Sequence, residues 1–576
     1  MNSLFLLSFK CNFKNKKVLL GFITLLLASC TVGGNSSQGS NSSTSSSDSS
    51  KVSSVTSNVS NESSTPSSST TSQTPIKPSY SVITIHNLDK EYTVRLHDEY
   101  FEYKDIPTYS LEDREILGWY FDAEFVEPIE EGVTYYVGES IDIFAKVEFN
   151  ANYFIKDFLV DSVSKVYINT EDNKKPTTKE VYSNGTFKIV DENVPENNVS
   201  EIPLRIKCRG NSSYFNAHLE GEPFENSKFS YKIKFDEKQD LFGFGKDKEW
   251  NLIANFMDRS FIRNHLVYSL SKLMDNLEFT IDHHYVELYI NNNYQGLYMI
   301  TESVKTGSNR VDIEMPYDAT TAEIPFMLEQ DQKAVDGGEI EGVNYFWNHY
   351  GLPFSTKYPD DFSTNCVTTE QFKYIRNQLN AVYDHVTQND YANYIDVNSF
   401  IDYFMVQEIF RNVDVNHSSV YLYQRPGEVM KMGPIWDFDL SMGNYDYIPS
   451  HPEQFLKSLV GGGGNYLYNN LMRHNQFKSA YIKRFNFVRD TYLEAMRMAL
   501  PEIIKILKPY AEADYQKNRT LNNYVDELAN NPDLVRINSF EGQVKYIEDY
   551  MFNGITSNGR TYTGRIPWLG TYLKNY

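Results

Sequence analysis

The sequence predicts an α+β protein. Short β-branched or alternating runs such as Val82–Ile85 and Tyr92–Leu96 predict strands. Apolar residues at helical spacing, as in Ile262, Leu266, Leu270 and Leu273, predict helices among them. A tract at 31–79 made mostly of Ser, Thr, Asn and Gly separates this folded part from the N-terminus.

The chain begins with an apolar stretch, Met1–Phe9, of no evident purpose. Basic Lys14, Lys16 and Lys17 then precede the apolar run Val18–Ala28. A basic region, a short apolar core and a small-residue site make a secretory signal, too short for a comfortable membrane span. Residues 1–29 are therefore expected to be a signal peptide. Leu27-Ala28-Ser29-Cys30 resembles the lipobox of bacterial lipoproteins, which implies cleavage before Cys30 and diacylation of its thiol. The competing reading is a plain signal peptide with an incidental cysteine. Residues 30–79 offer too little apolar surface to offset chain entropy, and are expected to be a disordered tether holding the folded body off a membrane. The expected location is the outer face of the cell membrane.

The remainder is acidic, the whole chain carrying a net charge of −22, with 43 Tyr and 36 Phe to supply a large core. That charge argues against nonspecific nucleic-acid binding. Beyond the leader only Cys208 and Cys366 remain, so no disulfide framework is expected.

Residues 80–149 read as a small β-rich module. Its run Leu117-Gly-Trp119-Tyr-Phe-Asp122, followed by the strand-like Ile141–Val147, resembles a Listeria–Bacteroides-type surface repeat with a β-grasp-like fold. Such modules are spacers or adhesive units. From about 150 to the end the pattern mixes strands and helices. Ile202–Cys208 reads as a strand ending in Arg209-Gly210-Asn211-Ser212-Ser213. In the strand Phe229–Phe235, Tyr231, Ile233 and Phe235 share one face and Lys232 and Lys234 the other. A helix is expected over Asp258–Met274, a hairpin over Val286–Glu302, and a helix over Val397–Asn412 with Asp396 as N-cap. Residues after Tyr466 read mostly as helices.

The stretch Gly433-Pro-Ile-Trp-Asp437-Phe-Asp439-Leu carries the chemistry. Carboxylates among Trp436, Phe438 and Leu440 are costly to bury unless a cation neutralises them, and Mg²⁺ suits oxygen ligands. Asp414 lies upstream, just past the expected helix. An earlier Asp that orients a hydroxyl, followed by a later Asp that holds Mg²⁺, is the arrangement of protein-kinase-type phosphoryl transfer. Asp437 and Asp439 could equally cap turns or pair with Lys and Arg.

Eight motifs occur in order. They are Arg209–Ser213, Tyr231–Asp236, Leu241-Phe-Gly-Phe-Gly245-Lys-x-Lys-x-Trp250, Asp258-Arg-Ser-x-x-Arg263-Asn264, Tyr294–Glu302, Lys357–Asp360, Asn412-Val-Asp414 and Gly433–Asn444. Together they resemble the CotH family of spore-coat kinases from roughly 150 to 550. The resemblance implies an atypical two-lobed protein-kinase-like fold, ATP and Mg²⁺ as cofactors, and phosphorylation of protein Ser or Thr. It implies that Asp414 is the catalytic-loop acid and Asp437 a Mg²⁺ ligand, with Asp439 as a second ligand. Lys234 is the expected phosphate-neutralising lysine and Lys232 the fallback. The turn Arg209, Gly210, Asn211, Ser212 would lie over the phosphates. Glu302 would sit near the nucleotide, pair with the lysine, or remain a surface residue. Ordinary kinases carry D-x-x-x-x-N after the catalytic acid. Here that last position is Ser419, and Asn416 lies closer, so either could supply the second metal contact. No helical Glu is evident to pair with Lys234.

These features favour an exported, lipid-anchored kinase acting on an unidentified surface or coat protein. ATP is scarce outside the cell, so a surface adhesin or structural lipoprotein on a kinase-like scaffold is a second reading. A kinase-fold transferase moving another group, such as adenylyl, is a third.

Overall fold

In the computed structural model the chain is α+β. The structure describes residue 81 onward except 88–90, 218, 220, 319, 337–340, 343–344, 360–368, 417, 446–449, 456–465, 522 and 524–530. The expected signal peptide, Cys30 and the expected tether lie outside the described residues.

The first part is a small β unit. Strands β1 (Ser81–His86), β2 (Tyr92–Leu96), β4 (Arg114–Tyr120) and β6 (Ser140–Phe149) form a sheet in the order β2-β1-β6-β4. β1 runs parallel to β6. The short strands β3 (Tyr100–Glu102) and β5 (Thr134–Tyr136) pair beside it. Alternation in β1 sends Ile83 and Ile85 inward, where they meet Phe101, Trp119 and Ile143 in a core of their own.

The second part is a closed seven-stranded barrel. Its strands are β7 (Val163–Thr170), β8 (Ser183–Val190), β9 (Val199–Arg209), β10 (Ser230–Gln239), β11 (Asp247–Ile253), β12 (His283–Ile290) and β13 (Asn293–Glu302). Neighbours pair antiparallel except β7 with β12, whose parallel pairing closes the barrel. In β10 the alternation puts Tyr231, Ile233 and Phe235 into the barrel core with Ile206, Trp250 and Tyr298. Lys232 and Lys234 face out. Cys208 is a buried free thiol there, its pKa pushed to about 12 by burial against the opposing pull of Lys175.

The third part joins a five-stranded sheet to helices. Strands β14 (Phe326–Gln330), β15 (Tyr345–Trp347), β16 (Pro353–Tyr358), β17 (Val420–Gln424) and β18 (Lys431–Met432) lie in the order β15-β16-β14-β17-β18. The helix Val397–Phe410 is apolar almost all round and buried in the large core, as such composition requires. Asp396 caps it, accepting the Ser399 N–H at 2.8 Å. The 25-residue helix Glu494–Asn518 lies against the barrel. Its Asp514 pairs with Lys228 at 2.6 Å and accepts the Leu297 N–H at 2.7 Å.

One helix starts later than its periodicity suggests. It runs Arg263–Leu273, not from Asp258. The Asp258 carboxylate accepts the N–H groups of Ser260 and Arg263, both at 2.9 Å, and Phe261 turns left-handed (φ 60°). Those local bonds hold a tight turn ahead of the helix.

Candidate active site

A cleft of about 440 Å³ lies between the barrel and the sheet-and-helix body, a size that suits a small-molecule ligand. Its barrel wall starts where β9 ends. Arg209 leads into Gly210, which takes φ 100° and closes so tightly that a Cβ would collide with the Ser213 hydroxyl. Asn211 then precedes the short helix Ser212–Phe215. Lys232 of β10 and Asn251 of β11 continue this wall.

The opposite wall is acidic. Asp414 sits on the 3₁₀ turn Val413–Asn416, directly after the helix Val397–Phe410. Its N–H donates to Asn412 Oδ1 at 3.1 Å, and its Oδ2 accepts from Ser418 Oγ at 3.3 Å. Asp437 and Asp439 follow the β17–β18 hairpin. Asp437 is left-handed, at φ 66°. Its Oδ2 accepts from Ser419 Oγ at 3.4 Å, and its carbonyl from Asn412 Nδ2 at 3.3 Å. The residue between the two acids is anchored from the helix Arg263–Leu273: Phe438 N–H donates to Asn264 Oδ1 at 2.9 Å. Arg263 Nε donates to the Ser441 carbonyl at 3.0 Å, and Asn444 Nδ2 to the Asp439 carbonyl at 2.7 Å. The loop that presents the acids is thus tied down along its length.

Asp439 is enclosed by protein and reaches solvent through the cleft. Burial pushes its carboxyl well above the ordinary range, and the negative charges of Asp437 and Asp414 push it further while Lys333 opposes. Burial pulls the Lys333 ammonium down, but Asp414, Asp437, Asp439 and Glu329 outweigh this and raise its pKa. Arg209 lies over the Trp436 ring at 5.5 Å, and Trp436 stacks on Tyr268 at 5.8 Å. Burial lowers the Arg209 pKa, with Asp437 pulling the other way.

The structure brings Arg209, Gly210, Asn211, Ser212, Lys232, Asp414, Ser419, Asp437 and Asp439 to one cleft. Two expected residues lie elsewhere. Lys234 does not line the cleft; its Nζ bonds Glu249 Oε1 at 2.7 Å, and Lys232 bonds the other oxygen at 2.8 Å. The cleft lies at the N-terminal end of β10, where Ser230 and Lys232 line it, and Lys234 stands two residues further along the strand. Glu302 neither faces the cleft nor meets Lys232 or Lys234. It turns beneath the barrel end, bonding Arg310 at 2.5 Å and the Asp282 N–H at 2.9 Å. Burial raises its pKa to about 7 against the pull of Arg310. The Asn416 side chain lies outside the described residues.

Four charged residues in or beside the cleft were not assigned a role from the sequence: Glu249, Glu329, Lys333 and Lys357. Glu249, the lysines' partner, comes from the next strand and not from a helix. Its carboxyl is pushed up by burial, yet the two lysine hydrogen bonds hold it at about 2. The register Lys232↔Asn251 and Lys234↔Glu249 puts it there, and the sequence carries no signal of that register. Lys333 and Glu329 carried no motif. Lys357 stood in a quoted motif without a role, and bonds Glu329 at 2.5 Å.

Among the described residues no group of three or more His, Cys, Asp or Glu has the geometry of a metal cage. The donor set nonetheless suits Mg²⁺, which binds through one or two carboxylates and completes its shell with water and substrate phosphates. Asp437 and Asp439 are such a pair, close enough for one to raise the pKa of the other.

In this α+β body the Arg209–Ser213 turn and the acids Asp414, Asp437 and Asp439 line one cleft. The family model described as CotH kinase protein matches residues 206–553, more than half of the chain. The chain belongs to the CotH kinase family. No curated protein matches it.

Proposed function

We propose that this protein is an exported, lipid-anchored kinase that uses ATP and Mg²⁺ to phosphorylate Ser or Thr of surface or coat proteins. The observation that carries the reading is the opposition, across one cleft, of the Arg209–Ser213 turn and Lys232 to Asp414, Asp437 and Asp439. Backbone N–H groups of the turn and the Arg209 and Lys232 cations would meet the phosphates. Asp437 and Asp439 would hold Mg²⁺, which neutralises phosphate charge when bound. Asp414 would orient the acceptor hydroxyl and take its proton as that oxygen bonds the terminal phosphorus. The phosphorus–oxygen bond to ADP breaks, and its electron pair leaves with ADP. Export and anchoring rest on the leader sequence and Cys30, and the protein substrate is unidentified. The small β unit would serve as a spacer between the tether and the catalytic body.

Isothermal titration with ATP, with and without Mg²⁺, beside labelling by γ-labelled ATP, tests the reading. Asp437→Asn should abolish the Mg²⁺ dependence of ATP binding; Asp414→Asn should leave binding intact and stop labelling. A protein that binds no ATP is a scaffold, as an adhesin would be. Label transferred from the α-position instead would assign adenylyl transfer.

A further inference from the structure

The acceptor-side wall of the cleft carries two lysines that differ in how they are held. Lys357 makes a 2.5 Å ion pair with Glu329. Lys333, on the short helix Gln332–Asp336 that follows β14, stands 3.7 Å from Asp414 Oδ2. That separation exceeds hydrogen-bond length, so charge attracts the ammonium while no directional bond to Asp414 fixes it among the described residues. Lys333 lines the same cleft as Asp414, Asp437 and Asp439, and its side chain retains 25% exposure there. Three carboxylates in one partly dry cleft repel each other, and a nearby cation relieves them.

We infer that Lys333 is the counter-ion of this acid cluster in the nucleotide-free protein and, once nucleotide is bound, the cation that neutralises the transferred phosphoryl group. This rests on the kinase reading for its second half only. A long lysine stem reaches several ångströms and carries three donors on a compact charge. With Asp437 and Asp439 holding a divalent cation, the Lys333 ammonium would be free to donate to phosphoryl oxygens beside Asp414. During transfer the acceptor oxygen bonds phosphorus, its proton passes to Asp414, and the bond to the ADP oxygen breaks with its electrons. Lys333 changes no bond; it stabilises the charge that spreads over the phosphoryl oxygens.

The two halves predict effects of opposite sign from one substitution. Lys333→Met removes a cation that stands beside Asp414, so Tb³⁺ or Mg²⁺ titrated into nucleotide-free protein should bind roughly threefold to tenfold tighter. The same variant should lose at least about 100-fold in turnover while ATP–Mg²⁺ affinity stays within about threefold. Lys333→Arg, which keeps the charge, should keep metal affinity near that of the unmodified protein and recover part of the turnover. A merely structural role would lower metal binding, ATP binding and melting temperature together. Unchanged turnover in Lys333→Met overturns the phosphoryl role. Lost turnover without tighter metal binding overturns the counter-ion role and leaves the kinase reading standing. Tighter metal binding in a protein that transfers nothing from ATP supports the counter-ion and removes the phosphoryl role together with the kinase reading.

Discussion

Asn264 and Phe438 are joined by a 2.9 Å hydrogen bond from the Phe438 N–H to the Asn264 side-chain oxygen. Asn264 stands on the first turn of a helix beside the barrel, and Phe438 separates the two acids Asp437 and Asp439. The bond fixes the backbone between the carboxylates, so their spacing is set by a residue that itself lines the cleft.

Asn264→Ala should leave that buried N–H without its acceptor, at a cost of about 1–3 kcal/mol. A lowered melting temperature and weaker Mg²⁺-dependent ATP binding are expected together. Calorimetry of melting and of binding measures both. An unchanged metal dependence would mean that the loop keeps its shape without the anchor.

Lys232 and Lys234 share Glu249, yet only Lys232 lines the cleft. Lys232→Met should weaken ATP binding roughly tenfold, about 1.4 kcal/mol. Lys234→Met should change it by less than about threefold, because Glu249 keeps its bond to Lys232. Equal losses in a titration would place both ammonium groups at the nucleotide.

Lys228 and Asp514 form a pair that is almost fully buried and ties the long helix to the barrel. Lys228 also donates to the carbonyls of Ala254 at 2.6 Å and Leu297 at 2.8 Å. Asp514→Leu should strand the ammonium and cost about 3–5 kcal/mol in a denaturant titration. Gly296 faces the same carboxylate at φ 122°, where a Cβ would collide with Asp514 Oδ2. Gly296→Ala should therefore destabilise by more than about 1 kcal/mol.

Three histidines near the barrel end are held neutral. Burial lowers the pKa of His265 to about 4 and of His284 to about 4, and drives His283 well below its usual value. His265 Nε2–H donates to the Phe158 carbonyl at 2.8 Å, so its bare Nδ1 accepts from His283 Nε2–H at 2.8 Å. Their folded pKa values lie below the unfolded ones, so between those values the unfolded chain binds more protons. Stability should be steady above about pH 6.5 and fall as pH drops toward about 4. Melting scans from pH 8 to 4.5 check this; a midpoint that stays level down to pH 5 would contradict it.

Much of the site was legible because short-range chemistry wrote it. Asp396 could be read as an N-cap because a side-chain oxygen there reaches an N–H of the next turn. The faces of β10 could be read because strand side chains alternate, whatever the barrel does. The acids of Asp437-Phe-Asp439 and the upstream Asp414 were conspicuous because carboxylates in apolar surroundings demand compensation. The late start of the helix at Arg263 was less legible, since Asp258 competes for its N–H groups through bonds that periodicity does not register.

The sequence by itself determined the α+β character of the chain, the segments that carry charge, and the family motifs along it. Only the tertiary structure decided which lysine meets the cleft, that Glu249 and not a helical Glu or Glu302 partners it, and that Lys333 stands beside Asp414. Those outcomes depend on where the cleft meets β10, on the register of β10 against β11, and on the closure of a barrel through the distant pairing of β7 with β12. The barrel closure joins segments far apart in the chain, and even the register of the neighbouring strands β10 and β11 is a pairing that no pattern within either strand encodes.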